Sequence, residues 1–270
     1  MLGFTRFSSA HQSSKQFSDT IRRYPMILQN RSVLITGGAT GIGLALAKRF
    51  ARSNNRVLIC GRREEKLAEA KALLPDVITR QCDVALEKER SALVEWVKVN
   101  HPDVDIVINN AGIQNRPPPL TMQQEWQAHE REVATNLHAP MHLSMLFIEQ
   151  LLNKESAAIM NVSSGLAFSP LAFMSTYCAT KAALHSFTLS LRHQLRGTPI
   201  RVIEIIPPKV NTDLGGVGLH DDGAPLEEFA DHVWHELSAG KIEFGFGFSE
   251  KNRLASRADL DRTFATLNPA

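Results

Sequence analysis

The chain has 270 residues, of which 43% are hydrophobic, and carries 30 lysine and arginine residues against 28 aspartate and glutamate residues. This length suits one α/β domain, and the formal net charge of +2 gives no reason to expect a nucleic-acid partner. No run of residues approaches the roughly eighteen apolar positions that a membrane span requires.

The first 29 residues differ from the rest of the chain. One acid, Asp19, stands among serines, spaced apolar residues and four basic residues, Arg6, Lys15, Arg22 and Arg23. An amphipathic, basic start of this kind is typical of a mitochondrial presequence. The alternative is a disordered extension. We therefore predict an N-terminal extension over residues 1–29, disordered or targeting, ahead of one domain over residues 30–270.

Short apolar runs then alternate with longer helix-like segments. The runs predicted as strands lie at residues 32–35, 56–60, 77–81, 105–109, 157–162 and 200–206. Several are continuously apolar, as parallel strands buried on both faces are. A helix over residues 225–237, with proline near its first turn, and an edge strand over residues 241–248 complete the pattern. It predicts a single α/β domain with a parallel sheet.

The first strand leads into a glycine-rich turn, TGGATGIG, at residues 36–43, and then into a helix-type pattern. This is the context that a dinucleotide-binding loop requires. Gly37 would make the tight turn, Gly41 would let the backbone approach a pyrophosphate, and Gly43 would let the helix pack closely. The phosphates would bind to free N–H groups at the helix N-terminus.

A second pattern places Tyr177 four residues before Lys181, and Ser164 thirteen residues before the tyrosine. On a helix, four residues bring both side chains to one face. A positive charge about 4 Å away, at an effective dielectric of about 20, would favour the phenolate by about 4 kcal/mol, or about three pKa units. We therefore expect the pKa of Tyr177 to lie near neutrality. The same spacing also arises by chance in many helices.

These motifs together resemble the short-chain dehydrogenase/reductase family. The turn matches its T-G-x-x-x-G-x-G pattern, and the other family markers follow in order over residues 30–213, namely Asp83, Asn109 to Gly112, Asn136, Ser164, Tyr177 and Lys181. The resemblance implies an α/β fold with a single Rossmann-type doubly wound parallel sheet, helices on both faces, and a C-terminal substrate lid at about residues 213–240. It also implies an NAD(P)-dependent oxidoreductase acting on a carbonyl/alcohol pair.

In this family, catalysis is hydride transfer between the nicotinamide and the substrate carbon. The resemblance implies that Tyr177 gives or takes the proton on the substrate oxygen and that Ser164 orients that oxygen. Lys181 would bind the nicotinamide ribose and lower the tyrosine pKa, and Asn136 would hold a water that relays protons. Two alternatives stay open: Ser163 is the reactive serine, or Asn136 only satisfies backbone groups in a kinked helix.

The second strand bears on the choice of cofactor. NAD-binding members carry an acid about eighteen residues after the last glycine, where this chain has Gly61, followed by Arg62 and Arg63. Guanidinium groups there would pair with a 2′-phosphate, which indicates NADP(H). The alternative is NAD(H), with arginines that merely begin a helix.

Other cofactor contacts are implied by position. Asp83 would accept from the adenine amino group, although an aspartate that only caps the next helix has the same appearance. Pro208 stands where relatives have glycine, which removes an N–H group there. The predicted contact residues are Gly37, Thr40, Gly41, Ile42, Gly43, Arg62, Arg63, Asp83, Val84, Asn110, Ala111, Gly112, Tyr177, Lys181, Pro207, Val210 and Thr212.

The partners follow from the same resemblance. We expect a small carbonyl or alcohol substrate, no metal, and a homo-oligomer, dimer or tetramer, formed through helices within residues 121–154 and 177–196. Three widely spaced cysteines favour a reducing compartment, so we predict a cytoplasmic protein, or a mitochondrial one if residues 1–29 are a presequence. The competing functional interpretation is a catalytically idle dinucleotide-binding sensor or scaffold of the same fold.

Overall fold

The computed structural model describes residues 27–269. The predictions of a presequence or a disordered extension therefore fall almost wholly outside the described residues. Within them the chain forms one sheet with helices on both sides.

All seven strands of this sheet run parallel, in the spatial order β3-β2-β1-β4-β5-β6-β7. The strands are β1 (Ser32–Thr36), β2 (Arg56–Gly61), β3 (Ile78–Gln81), β4 (Ile106–Asn109), β5 (Ala157–Val162), β6 (Ile200–Ile206) and β7 (Glu243–Gly245). The order reverses between β1 and β4. At such a point a crevice opens beyond the carboxyl ends of the strands, because the connections leave in opposite directions.

The helices of the described chain connect these strands. They are α1 (Gly41–Arg52), α2 (Glu64–Leu73), α3 (Glu87–Asn100), α4 (Trp126–Val133), α5 (Ala139–Leu152), α6 (Ser175–Gln194), α7 (Leu226–Ser238), α8 (Phe248–Leu254) and α9 (Arg257–Leu267). A π-helical segment, Ala134–His138, joins α4 to α5. Short 3₁₀ turns at Gly165–Ala167 and Ala172–Met174 precede α6.

Neighbouring residues of one strand belong to opposite cores. In β1, Val33 and Ile35 pack with Phe50 of α1 and Phe229 of α7, whereas Leu34 packs on the other face with Phe147 of α5. Alternation of side chains across a strand produces this division, and burial on both faces explains why the strands are continuously apolar. The predicted doubly wound sheet is confirmed.

The first six strands lie within one residue of their predicted ends, but the last one does not. β7 covers only Glu243–Gly245, and α8 begins at Phe248. Gly247 breaks the strand because its φ is +55°, a value that favours glycine. Phe244 is therefore buried, whereas Phe248 is 42% exposed. An edge strand is present as predicted, but it is shorter than residues 241–248, and Phe248 belongs to α8.

Helix α7 is part of the core. Arg49 of α1 donates to Asp231 (Nη2 to Oδ1, 2.6 Å) and to the carbonyl of Glu227, and Phe50 meets Trp234 edge-on at 5.1 Å. These contacts fix α7 against α1. The predicted lid, given above as residues 213–240, is therefore restricted to residues 213–225, before α7.

Part of the surface proposed for oligomer contacts is core. Leu143, Phe147 and Leu151 of α5 are buried under the sheet, and Met145 is 54% exposed. The homo-oligomer stays a prediction. Among residues 27–269, no helix has both the length and the apolar character needed to cross a membrane.

Candidate active site

A cleft of about 1420 Å³ lies at the carboxyl ends of the strands, across the point where their order reverses. Pockets for one small ligand are usually about 300–1,000 Å³, so this cleft can hold more than one molecule. All the predicted catalytic residues except Asn136 line it, as do all the predicted cofactor residues except Gly43.

The glycine-rich turn is shaped by close backbone contacts. Gly37 has a φ of +62°, and a Cβ atom on it would lie 2.8 Å from the Cα of Ala111. A Cβ atom on Gly43 would lie 2.3 Å from the carbonyl oxygen of Gly37. Neither position has space for a side chain. Gly41, with a φ of +52°, faces the methyl group of Thr212 across the cleft.

Helix α1 begins in this turn and presents free N–H groups. The first intrahelical bond runs from the N–H of Leu44 to the carbonyl of Thr40, and neither a capping side chain nor an acid occupies the first turn. Uncapped N–H groups and the helix dipole favour an anion at such a terminus. The turn thus fits the pyrophosphate of a dinucleotide.

Asn110 ties this turn to the end of β4. Its side-chain Nδ2 donates to the carbonyl of Thr36 (2.9 Å) and to that of Gly37 (3.2 Å). The N–H groups of Asn110 and Ala111 both donate to the Thr36 hydroxyl at 3.0 Å. The small residues that follow leave the cleft open, with Gly112 between Asn136 and Lys181.

One end of the cleft is basic. Gly61 ends β2, and the exposed Arg62 and Arg63 follow it in the cleft wall. A second hollow of about 680 Å³ adjoins them and is also lined by Arg80. Among the described residues, no carboxylate forms an ion pair with Arg62 or Arg63. An anionic ligand could therefore bind both.

Asp83 already has partners in the same region. Its carboxylate forms an ion pair with Arg131 of α4 and accepts from the N–H of Ala85 at 3.1 Å. The second contact closes a turn and is not the helix cap considered from the sequence, because α3 begins at Glu87 after the N-cap residue Leu86. It leaves room for a further donor. Val84 is buried beside it. Arg131 was not predicted, because it lies 48 residues from Asp83 and no local pattern links them.

Ser164, Tyr177 and Lys181 meet at the centre of the cleft. Ser164 follows β5, and its hydroxyl accepts from the N–H of Leu166 (3.1 Å) and contacts the Tyr177 hydroxyl. Lys181 lies one turn after Tyr177 on α6, with its ammonium 5.7 Å from the centre of the tyrosine ring. It donates to the carbonyl of Val162 at 2.9 Å, which leaves two N–H groups for a ligand.

The expected pKa of Tyr177 was wrong in sign. Burial raises the pKa of this phenol well above its ordinary value, and the hydrogen bond from Ser164 lowers it only in part. The Lys181 ammonium lies over the ring, so its attraction does not outweigh desolvation of the phenolate. Burial also lowers the pKa of Lys181 to about 8, although the carboxylates of Glu132 and Glu204 act to raise it.

The two open alternatives have structural counterparts. Ser163 donates to the buried carboxylate of Glu204 at 2.6 Å, so its hydroxyl is already engaged. Asn136 accepts from the N–H of Ile113 (2.9 Å) and donates to the carbonyl of the same residue (2.8 Å). Its side chain thus satisfies backbone groups of the loop after β4, and not those of the π-helical segment in which Asn136 lies. The proton relay through Asn136 stays a proposal.

The segment after β6 forms the opposite wall. Pro207 accepts from the N–H of Gly165 at 2.9 Å, and Val210 is buried and bridges to Ala224. The N–H of Asn211 is used in this bridge. Pro208 has no N–H group, so it cannot donate a hydrogen bond to a ligand here.

Two polar groups of the site had no sequence signal. Glu132, 1% exposed, accepts from the N–H of Asn115 (Oε1, 2.8 Å) behind the cleft wall. His220, also buried, pairs with Gln114 through Nε2 and Oε1 at 3.1 Å. Among the described residues, no group of three or more His, Cys, Asp or Glu side chains is placed to hold a metal ion.

Comparisons with known proteins agree with this architecture. The short chain dehydrogenase family model matches residues 31–221. The chain is 47% identical over 248 residues to an uncharacterized oxidoreductase, DltE, of Bacillus subtilis (strain 168), covering 90% of this chain and 98% of that one. It is 31% identical over 205 residues to the NADP-dependent 3-hydroxy acid dehydrogenase YdfG of Escherichia coli (strain K12), covering 73% and 79%.

The fold is also that of solved structures. A short chain dehydrogenase from Burkholderia cenocepacia J2315, in complex with NADP, superposes with a TM-score of 0.76 over 90% of this chain and 99% of that one, at 24% identity. The family match extends from the glycine-rich turn past the predicted catalytic residues. The chain therefore belongs to the short-chain dehydrogenase/reductase family and is an oxidoreductase of that family.

Proposed function

We propose that the chain binds NADP(H) in this cleft and transfers hydride between the nicotinamide and a small carbonyl or alcohol substrate, with Tyr177 as acid/base. The observation that carries this proposal is the convergence of Ser164, Tyr177 and Lys181 on the cleft that begins at the uncapped end of α1. An idle relative would need none of these side chains beside the glycine-rich turn.

The cofactor would be held along the whole cleft. The free N–H groups of α1 suit its pyrophosphate, and Asp83 and Val84 border the adenine end. Arg62 and Arg63, with glycine at the preceding position, suit a 2′-phosphate. YdfG is named as NADP-dependent, and the Burkholderia structure contains NADP, which supports the same choice.

Each catalytic residue has a defined task at the substrate oxygen. The bound nicotinamide would supply or accept the hydride. Ser164 would orient the substrate oxygen, and Tyr177 would donate or accept its proton. Burial raises its pKa, so the protonated phenol would donate the proton in carbonyl reduction, and the same group would accept it in alcohol oxidation.

The test is to incubate the protein with NADPH and a panel of ketones and aldehydes. Turnover is measured as the loss of NADPH absorbance. We expect oxidation of NADPH with at least one of them. NADPH binding without turnover of any substrate would overturn the proposal in favour of the idle dinucleotide sensor. Absence of NADPH and NADH binding would overturn both interpretations.

Reversing the charge at Arg62 tests the cofactor assignment. In Arg62→Glu, the ratio of kcat/KM for NADPH to that for NADH should fall by about 10- to 100-fold, because a hydrogen bond to a charged group contributes about 1.5–3 kcal/mol. Arg52→Glu, which changes an exposed arginine of α1, is the matched control. An unchanged ratio in Arg62→Glu would remove Arg62 from the cofactor site.

A further inference from the structure

The loop after β4 brings an arginine to the substrate end of the cleft. Asn136 holds Ile113 by two hydrogen bonds, and Glu132 holds the N–H of Asn115. The Asn115 side chain donates in turn to the carbonyl of Ala128 in α4. These contacts fix the backbone at Ile113 and Asn115. Arg116 is the next residue, so its side chain extends from an anchored part of the cleft wall.

Arg116 lies beside the entrance to the catalytic residues. Its guanidinium carbon is 6.0 Å from the centre of the Phe173 ring, which belongs to the 3₁₀ turn just before α6 and is four residues from Tyr177. Both side chains line the cleft and are exposed. An arginine over an aromatic face is held in place while its N–H groups remain free.

Other cationic side chains that line the cleft already form ion pairs. Lys209 pairs with Asp222, and Arg131 pairs with Asp83. Burial is the main cause that lowers the pKa of His220, and the charges of Lys209 and Arg116 lower it further, so this imidazole is neutral at neutral pH. Arg116 itself has no ion pair with any carboxylate among residues 27–269.

From this arrangement we infer that the substrate is a carbonyl compound bearing a carboxylate, and that Arg116 binds this carboxylate while Tyr177 serves the carbonyl oxygen. The inference rests on the proposed function. A guanidinium pairs with a carboxylate through two parallel N–H groups, which would also fix how the carbonyl faces Tyr177. The neutral His220 and Gln114 offer polar contacts in the same wall without adding charge.

Matched substrates isolate the charge. We would compare 3-oxobutanoate with 3-oxobutanamide, and dihydroxyacetone phosphate with dihydroxyacetone. The wild-type chain should prefer 3-oxobutanoate to its amide by at least about tenfold in kcat/KM. Arg116→Gln should lower kcat/KM for the acid by about 10- to 100-fold, the loss of a charge-assisted hydrogen bond. It should lower kcat/KM for the amide much less, because the amide oxygen can accept a hydrogen bond but carries no charge. Arg116→Lys should retain part of the preference.

Arg52→Gln, which removes a positive charge far from the cleft, is the control for general electrostatic attraction. Equal turnover of acid and amide, or an equal loss on both in Arg116→Gln, would overturn the inference and leave the proposed function intact. A preference for dihydroxyacetone phosphate that Arg116→Gln abolishes would overturn the assignment to a carboxylate. Failure of every carbonyl compound to oxidise NADPH would instead reject the proposed function.

Discussion

Replacing Tyr177 by phenylalanine should lower NADPH-dependent carbonyl reduction by about 10²- to 10⁴-fold, the usual contribution of a positioned acid or base. The ring is buried beside Met174 and Cys178, so phenylalanine keeps its packing and loses only the hydroxyl. NADPH binding, measured by its fluorescence, should change far less than turnover, because the variant leaves the uncapped end of α1 and Arg62 unchanged. Retained turnover in Tyr177→Phe would overturn the mechanism.

Two serine variants show which hydroxyl assists the tyrosine. Ser164 contacts the Tyr177 hydroxyl, whereas Ser163 donates to Glu204 at 2.6 Å. Ser164→Ala should therefore reduce kcat by about 10²-fold, comparable to the loss of one donor to a reacting oxygen. Ser163→Ala should change kcat much less and should lower the melting temperature, because Glu204 loses a buried donor. The reverse order would assign the catalytic role to Ser163.

Much of the site could be predicted because its determinants are local. The glycines of residues 36–43 follow an apolar strand and precede a helix, and only residues without a side chain satisfy the contacts at Gly37 and Gly43. The spacing of Tyr177 and Lys181 is likewise a property of one helix. Strand ends were predicted well because burial on both faces makes each strand a distinct apolar run.

Features that depend on tertiary contacts could not be predicted. The sign of the pKa shift at Tyr177 is set by burial from several elements, and charge spacing along one helix does not reveal that burial. The contact between Glu132 and Asn115 and the ion pair between Asp83 and Arg131 join distant parts of the chain. Local spacing therefore indicates the predicted reacting groups, whereas the residues that hold them in place depend on contacts between distant parts of the chain.

The length of the last strand was predicted wrongly for a different reason. The alternation FGFGF at residues 244–248 has the period of a strand, but Gly247 turns the chain into α8. Helix α9 did have a local signal that was overlooked. Ser256 accepts from the N–H of Asp259 at 3.2 Å and donates to its carboxylate, which resembles a capping box.

Replacing Glu132 by glutamine should move the alkaline loss of activity to lower pH. Lys181 binds as a cation and loses its charge as pH rises through a pKa of about 8, a value that burial lowers and the carboxylates of Glu132 and Glu204 raise. Without the charge of Glu132, the pKa of Lys181 falls, and a smaller fraction is charged at pH 8. kcat/KM for NADPH should decrease by about three- to tenfold at pH 8 and by little at pH 6. This parameter reports the free enzyme.

The structural role of Glu132 separates from its charge in a second variant. Glutamine still offers an oxygen to the N–H of Asn115, whereas Glu132→Ala removes both the charge and this acceptor. Glu132→Ala should therefore also raise KM for the carbonyl substrate at every pH, because the wall that carries Arg116 loses an anchor. Glu130→Gln, on the exposed face of the same helix, should change neither quantity.

Cys178, whose pKa burial raises to about 11, titrates above the range from pH 6 to pH 8 in which the variants are compared. If the alkaline loss of activity occurs at the same pH in Glu132→Gln as in the wild type, Glu132 only anchors the wall of the cleft. The charge of Lys181 would then depend on Glu204.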